Sequence, residues 1–224
     1  MNVDIIILSN TINIQYYNML KECIMSIKNN RDINPYIIVI ETNKKLKGKL
    51  ENLKLPIDVF FIPEDETFNY NKFHNYGLNF SKNKYICFSN NDVVYQEDTL
   101  STLVKYLSIY DSVSPWEQTY SPRYFSKRGI YEGYNTRQYI TGWCFCTTRE
   151  TINKIGGKFD EDFSFWYADD DYAKLLEINN LKHALIGDTT VRHLVEQSKN
   201  LLGDQIETQT TGQEKTFKNK WKNN

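Results

Sequence analysis

Hydrophobic and polar positions along the first half of the chain follow two periods in turn. Residues 3–8 are apolar apart from Asp4, the mark of a strand buried on both faces. The polar Ser9-Asn10-Thr11 ends that run. Tyr17, Leu20, Ile24 and Ile27 then recur at the 3-4-3 spacing of one helix face. Residues 36–40, ending at Glu41, predict a second strand, and residues 57–62, between Pro56 and Pro63, a third. A helix is expected around 71–80, and a fourth strand over 85–88 that runs out at Ser89-Asn90-Asn91-Asp92. Leu100, Leu103, Val104 and Leu107 mark another helix. Strands alternating with helices predict a parallel sheet with helices packed on it, whose ligands lie at the carboxyl ends of the strands. Those ends are Ser9-Asn10, Glu41 and Asn90-Asn91-Asp92, all polar and short.

The pattern changes after residue 110. Residues 111–137 hold two prolines, two glycines and many tyrosines, and read as an irregular or hairpin insertion. Residues 139–147 alternate well enough for a strand. Thr147-Thr148-Arg149-Glu150 has the form of a capping box opening a short helix, which Gly156-Gly157 closes. A second helix is expected from near Asp169 to about Asn180, then short strands over 182–186 and 190–194. The tail is polar, with Phe217 and Trp221 one helical turn apart. With no repeat and no low-complexity linker, one domain is expected over residues 1–224.

Composition narrows the classes. At 40% hydrophobic and 14% aromatic over 224 residues, the chain has ample apolar area for a core. The 27 basic and 28 acidic residues nearly cancel, which excludes binding of polyanions through bulk charge though not through a local patch. No apolar run approaches the roughly 18 residues of a membrane span. The start, MNVDIII, lacks a basic region and a small-residue cleavage site, so a cytoplasmic location is expected. Cys23, Cys87, Cys144 and Cys146 fall within apolar patterns without metal-knuckle spacing and are expected to be reduced core thiols.

Three features could carry chemistry. Asp92, at the carboxyl end of the fourth strand, is placed either to hold a divalent cation or to cap the helix that follows. Residues 158–171 set six acids (Asp160, Glu161, Asp162, Asp169, Asp170, Asp171) against Lys158 alone. Asp169 to Asp171 either complement a helix dipole or supply a general base, since crowded carboxylates raise one another's pKa. Phe165, Trp166 and Tyr167 beside them offer an apolar wall. His193 is a metal ligand or a strand-end residue; no role is assigned to His74 or His183.

In their order along the chain, these segments resemble the family 2 glycosyltransferases of the GT-A fold over nearly the whole length. The opening DIIILSNT resembles that family's first strand with its nucleotide-contacting end, and VIETN places Glu41 where the family has an acid meeting uracil or ribose. FNYNKFHNYGLNFSKNKYICFSNNDVV is similar to the stretch leading into the DxD metal motif. YITGWCFCTTRETINKIGGKFDEDFSFWYADDDY resembles the acceptor-side strand, the Gly-Gly-Phe-Asp-Glu turn and the acidic motif of the catalytic base. VRH resembles a late metal-binding histidine, and FKNKW a common ending. The chain departs from the pattern in having Asn90-Asn91-Asp92 as its DxD-like triplet, so that Asp92 alone supplies a charged ligand. Ala168-Asp169 stands where Glu-Asp is usual, and Leu175 where many relatives have Arg.

The resemblance implies an α/β, GT-A-like fold: a mostly parallel sheet sandwiched by helices, with a small acceptor-side β region. It divides the chain into a nucleotide-sugar-binding half (1–110), an acceptor and catalytic half (111–199) and a tail that is helical or not (200–224). It implies a metal-dependent inverting glycosyltransferase with Mn2+ or Mg2+ held by Asp92 and His193, and a nucleotide-sugar donor, UDP-sugar foremost. Ser9, Asn10, Glu41, Lys72, Asn75, Asn90 and Asn91 would bind the donor. Asp169, or Asp170 if the motif is displaced by one residue, would be the base. Trp143, Trp166 and Trp116 are either platforms for a sugar or packed aromatics; the first two are taken for the acceptor. The acceptor could be a glycan, a lipid-linked saccharide, a protein or a modified DNA base, the last being the single route to nucleic acid. A non-catalytic nucleotide- or carbohydrate-binding module of the same fold, or a sugar nucleotidyltransferase, is the alternative. The latter would need a Gly-rich, basic loop after the first strand to grip a triphosphate, and this chain has none there.

Overall fold

The computed structural model describes residues 1–194, apart from 54, 56, 64 and 120, and residues 205–222, with the backbone alone described over 205–211. Pro56, expected to flank the third strand, lies outside the described residues, as do 195–204 of the second half and tail.

β1 (Asn2–Ser9) is central because it offers apolar side chains to both faces of the sheet. Ile5 and Ile7 pack with Leu20, Ile24 and Ile27 of α1 (Ile14–Lys28) and with Leu100 and Leu103 of α4 (Thr99–Tyr106). Ile6 and Leu8 face the opposite core, with Phe73 of α3 (Tyr70–Leu78), Ile152 of α5 (Arg149–Lys154) and Tyr172 of α6 (Ala168–Ile178). The two-residue period of a strand divides the run between two cores. Asp4, the break in that run, is fully buried and accepts the amides of Lys82 and Asn83, both at 2.6 Å.

β1 pairs in parallel with β2 (Asn34–Glu41) on one side and β4 (Tyr85–Asn90) on the other, so that Ile5 lies between Ile37 and Cys87. β3 (Ile57–Phe61) extends the sheet beyond β2, with the short α2 (Lys47–Glu51) in the connection. The chain lays β2 and β3 outward on one side of β1 and then returns to place β4 on the other. That reversal opens a crevice at the carboxyl ends of β1 and β4.

Past β4 the sheet turns antiparallel. β8 (Cys144–Thr148) pairs with β4, and β6 (Ser112–Glu117) with β8. β9 (His183–His193) runs parallel to β6 and carries β5 (Val93–Tyr95) and β7 (Ile130–Glu132) antiparallel. The order among the described residues is β3-β2-β1-β4-β8-β6-β9-β5, with β7 on β9, so both halves share one sheet. The expected α/β architecture stands.

Several expectations for the second half are corrected. The supposed insertion contains β6, a fully buried strand whose small polar residues Ser112 and Ser114 and whose Pro115 hid it. The register shift between Pro115 and Trp116 accommodates the proline, which cannot donate to a regular ladder. The strand expected from 139 begins at Cys144, because Tyr139 and Ile140 turn back onto the carbonyl of Asn135. Thr148, not Thr147, caps α5, accepting the amide of Thr151 at 3.1 Å. The two short strands of 182–194 are one, β9. α7 (Gln205–Lys220) makes the tail helical over that range. All four cysteines are buried free thiols, and no described helix is long and apolar enough to cross a membrane.

Candidate active site

A cavity of about 470 Å³ occupies the crevice above β1 and β4. Ser9, Asn10, Asn90 and Asn91 line it from the two strand ends, with the Asn91 side chain donating to Ser9 Oγ at 3.3 Å. Phe68, Tyr70, Phe165 and Trp166 give it aromatic walls, and Asp169 closes the far side. The indole N–H of Trp166 is buried without a hydrogen-bond partner.

Asp169 is half-buried at the start of α6, and burial raises its carboxyl from 3.8 to about 6, helped by the charge of Asp170 beside it. Its Oδ1 accepts the Asp170 amide at 3.2 Å. Gly142 lets the backbone approach: a Cβ there would stand 3.3 Å from Asp169 Cβ and 3.4 Å from its Oδ2. The Tyr70 hydroxyl in turn donates to the Gly142 carbonyl. The entry to α6 passes through Tyr167, which holds a left-handed φ of 60° without glycine's freedom.

Three consecutive acids take three different positions because successive helical residues point about 100° apart. Asp169 faces the cavity. Asp170 accepts the Thr136 hydroxyl at 2.7 Å. Asp171, 1% exposed, accepts from Lys220 Nζ at 2.8 Å and from the Trp221 indole at 2.9 Å.

Asp92 lies in the turn between β4 and β5, directly after the two asparagines that line the cavity. Its Oδ1 is 3.2 Å from His193 Nε2 on β9, yet that buried oxygen has no aligned hydrogen bond, and His193 Nδ1 is likewise without a partner. Two donors that approach without bonding each other suit a shared cation, so the pair fits a divalent metal. Among the described residues no group of three or more His, Cys, Asp or Glu gathers for a metal. A cation here would therefore draw its remaining ligands from substrate and water.

Residues 5–156 match the family model of Glycosyl transferase family 2. The chain belongs to that family. No curated protein matches its sequence. Its fold is similar to S. aureus TarS 1–349 in complex with UDP, with a TM-score of 0.65 at 14% identity over 88% of this chain and 61% of that one. It is similar also to GalNAc-T7 with UDP, GalNAc and Mn2+, with a TM-score of 0.67 at 13% identity over 86% of this chain and 43% of that one. The chain spans 37–61% of the length of the TarS chains it matches.

Of the residues read from the sequence, this family 2 chain brings Ser9, Asn10, Asn90, Asn91, Trp166 and Asp169 together around one cavity. Others lie elsewhere. Glu41 is fully buried and does not line the cavity, its Oε1 accepting the amides of Thr11 at 2.9 Å and Asn43 at 2.8 Å. Burial raises its carboxyl, and these amides oppose the rise. It closes the loops after β1 and β2. Lys72 points outward and pairs with Glu66 at 2.6 Å. Asn75 is committed to the turn before α6, exchanging hydrogen bonds with the Phe159 backbone at 2.8 and 2.9 Å and donating to Glu161 at 3.0 Å. Trp143 stacks on the His193 ring at 4.9 Å, and Trp116 is buried, so neither lines the cavity. Asp170 is turned away from it.

Histidines without a sequence-assigned role are structural. His74 is buried among Tyr70, Phe88 and Phe159 and burial lowers it to about 3. His183, lowered to about 4, is bonded by Ser112 and the Tyr139 carbonyl. The sequence reading missed Phe68, Tyr70 and Gly142. The FNYN segment at the start of α3 was a signal for the first two, and the Gly-Trp pair before β8 for the third.

Proposed function

We propose that the chain transfers a sugar from a nucleoside-diphosphate donor, a UDP-sugar foremost, to an acceptor hydroxyl with inversion. The observation that carries this reading is Asp169: one carboxylate in the wall of the strand-end cavity, held at about 6 by burial. At pH 7 such a group is roughly nine-tenths ionised and close enough to neutrality to take and return a proton, the property a general base needs. Neighbours solved with UDP, with UDP-GlcNAc and with Mn2+ support the donor class.

In this mechanism Ser9, Asn10, Asn90 and Asn91 hold the nucleotide side of the donor above β1 and β4. Trp166 and Phe165 exclude water and offer a face to a sugar ring. Asp169 Oδ2 accepts the proton of the acceptor hydroxyl as that oxygen bonds to the anomeric carbon. The bond from this carbon to the diphosphate breaks on the opposite face, and its electron pair leaves with the nucleotide. When bound by Asp92 and His193, a divalent cation would supply Lewis-acid neutralisation of the leaving diphosphate.

A purified sample given UDP-sugars should release UDP in the presence of Mn2+, with the product anomer opposite to the donor's by NMR. Release of UDP with retained configuration would refute the base assignment. Tight UDP binding with no turnover on any donor would favour a binding module.

A further inference from the structure

Resting on the glycosyltransferase reading, a second feature concerns the acceptor. Residues 121–139 carry Arg123, Lys127, Arg128 and Arg137 against one acid, Glu132, in a chain whose net charge is −1. The segment is a folded lobe. Phe125 stacks on Tyr131 at 4.3 Å and packs at 5.0 Å from Tyr139, so its two ends close on each other. Its middle is tied to β9 by the Arg128 amide, which donates to the Gly187 carbonyl at 2.8 Å, and by the Gly187 amide, which returns to Gly129 at 2.7 Å. Its last turn abuts the catalytic helix through the bond from Thr136 to Asp170.

Two arginines of this lobe differ from those elsewhere. Arg31, Arg149 and Arg192 each face a carboxylate: Glu97, Asp4 and Glu22. Arg128 and Arg137 make no such close ion pair among the described residues; Arg137 acts only at longer range, its charge lowering the Asp169 carboxyl. Both are exposed, and both hold left-handed backbone, with φ of 71° and 66°. Such a conformation is costly for a long side chain, and its cost is met only where surrounding structure enforces it. Arg137 directly follows the residue bonded to Asp170, and its charge reaches Asp169.

We infer that Arg128 and Arg137 recognise an anionic group on the acceptor, and that the acceptor is a saccharide bearing phosphate or carboxylate. The guanidinium fork suits either anion, because both present paired oxygens. A saccharide fits better than a nucleic acid. Two exposed arginines match one or two anions, whereas a nucleic-acid strand needs a longer cationic groove to track its backbone.

The test uses the full chain saturated with UDP and Mn2+, so that the donor site is filled. It is titrated with three oligomers of equal length: a glycerol-phosphate oligomer, an oligogalacturonate and a neutral maltooligosaccharide. A fourth titration uses oligothymidylate. One or both anionic glycans should bind at least tenfold tighter than the neutral one, the phosphate and carboxylate arms telling the two anions apart, and affinity should fall with salt. Arg128→Asn and Arg137→Asn, which keep a side chain tolerant of left-handed backbone, should each weaken that binding about tenfold, the loss of one charge-assisted hydrogen bond. Arg137→Lys should recover part of it. Equal binding of the neutral oligomer, tighter binding of oligothymidylate, no binding of either anionic glycan, or indifference to both substitutions would overturn the inference. UDP affinity, measured separately on the same samples, reports on the glycosyltransferase reading independently.

Discussion

Replacing Asp169 with Asn separates catalysis from stability in one side chain. The carboxyl titrates near 6 in the folded chain against 3.8 for a free one, with burial the larger cause and Asp170 the second. Because the folded value lies above the unfolded one, the group's contribution to stability is whole below about pH 4 and is lost as pH rises through about 6. At pH 7.5 the folded chain thus carries a charge that its surroundings disfavour by about 3 kcal/mol. Asn keeps the shape and removes the charge. Part of that gain is offset, since the side chain is half-buried and screened by solvent and the new amide needs partners of its own. The net gain should be about 1–2 kcal/mol at pH 7.5 and near zero at pH 4. Transfer should move the other way, falling by roughly 10²- to 10⁴-fold, the usual share of a general base. Guanidinium denaturation at the two pH values reads the first effect, and nucleotide release with a saturating donor reads the second. In the native chain the rate should rise through a limb near pH 6 that the Asn variant lacks. Turnover within tenfold of native, or a stability difference independent of pH, would refute the assignment of Asp169 as a buried base.

Asp170→Asn should keep the Thr136 hydrogen bond and retain transfer within about tenfold; if it abolishes transfer while Asp169→Asn does not, the base is Asp170. Calorimetry should find UDP affinity lower by at least tenfold in EDTA, with His193→Ala giving a similar loss while the melting temperature of the metal-free protein barely moves; equal affinity in chelator rules the metal out. Asn75→Ala removes three hydrogen bonds to Phe159 and Glu161 and should cost about 2–3 kcal/mol in chemical denaturation. UDP affinity should be unaffected, and a selective loss of affinity would return Asn75 to the nucleotide site.

Backbone and core were legible where the local pattern and the global packing agree. The run from Ile5 to Leu8 announces its own burial, and the face of Leu20, Ile24 and Ile27 announces its helix. β6 was not legible, because Ser112, Ser114 and Pro115 are weak strand formers and the strand exists only through β8 and β9 on either side. The carboxyl ends of β1 and β4 could be located from the strand order alone, and Ser9, Asn10, Asn90 and Asn91 meet there. Side-chain destinations were a different matter. Lys72 and Asn75 sit on the helix that flanks the cavity, but Glu66 and the Phe159 backbone claim them. Those partners are 6 and 84 residues away in sequence, beyond any periodicity.

The placement of the base follows the same logic, since little in its own segment fixes it. Tyr167 offers α6 no side-chain cap, so the helix that carries Asp169 does not set its own start. The support comes from both flanks. On one side, α3 and its cap grip the approach: Asn69 donates to the Glu161 carbonyl, Asn71 to the Asp160 carbonyl, and Asn75 to the Phe159 carbonyl, at 2.7–2.9 Å. On the other, Gln213 of α7 accepts the Phe165 amide at 3.1 Å and donates to Ser164 Oγ at 2.9 Å, while Lys220 and Trp221 hold Asp171. Between these grips the chain must pass through the left-handed Tyr167, a strained conformation that costs about 1–3 kcal/mol and persists only when its neighbours over-determine it. The polar tail is thus part of what aims the carboxylate. Releasing α7 would let Tyr167 relax to an ordinary φ and swing Asp169 away from Gly142, the one wall residue it frees directly being Phe165.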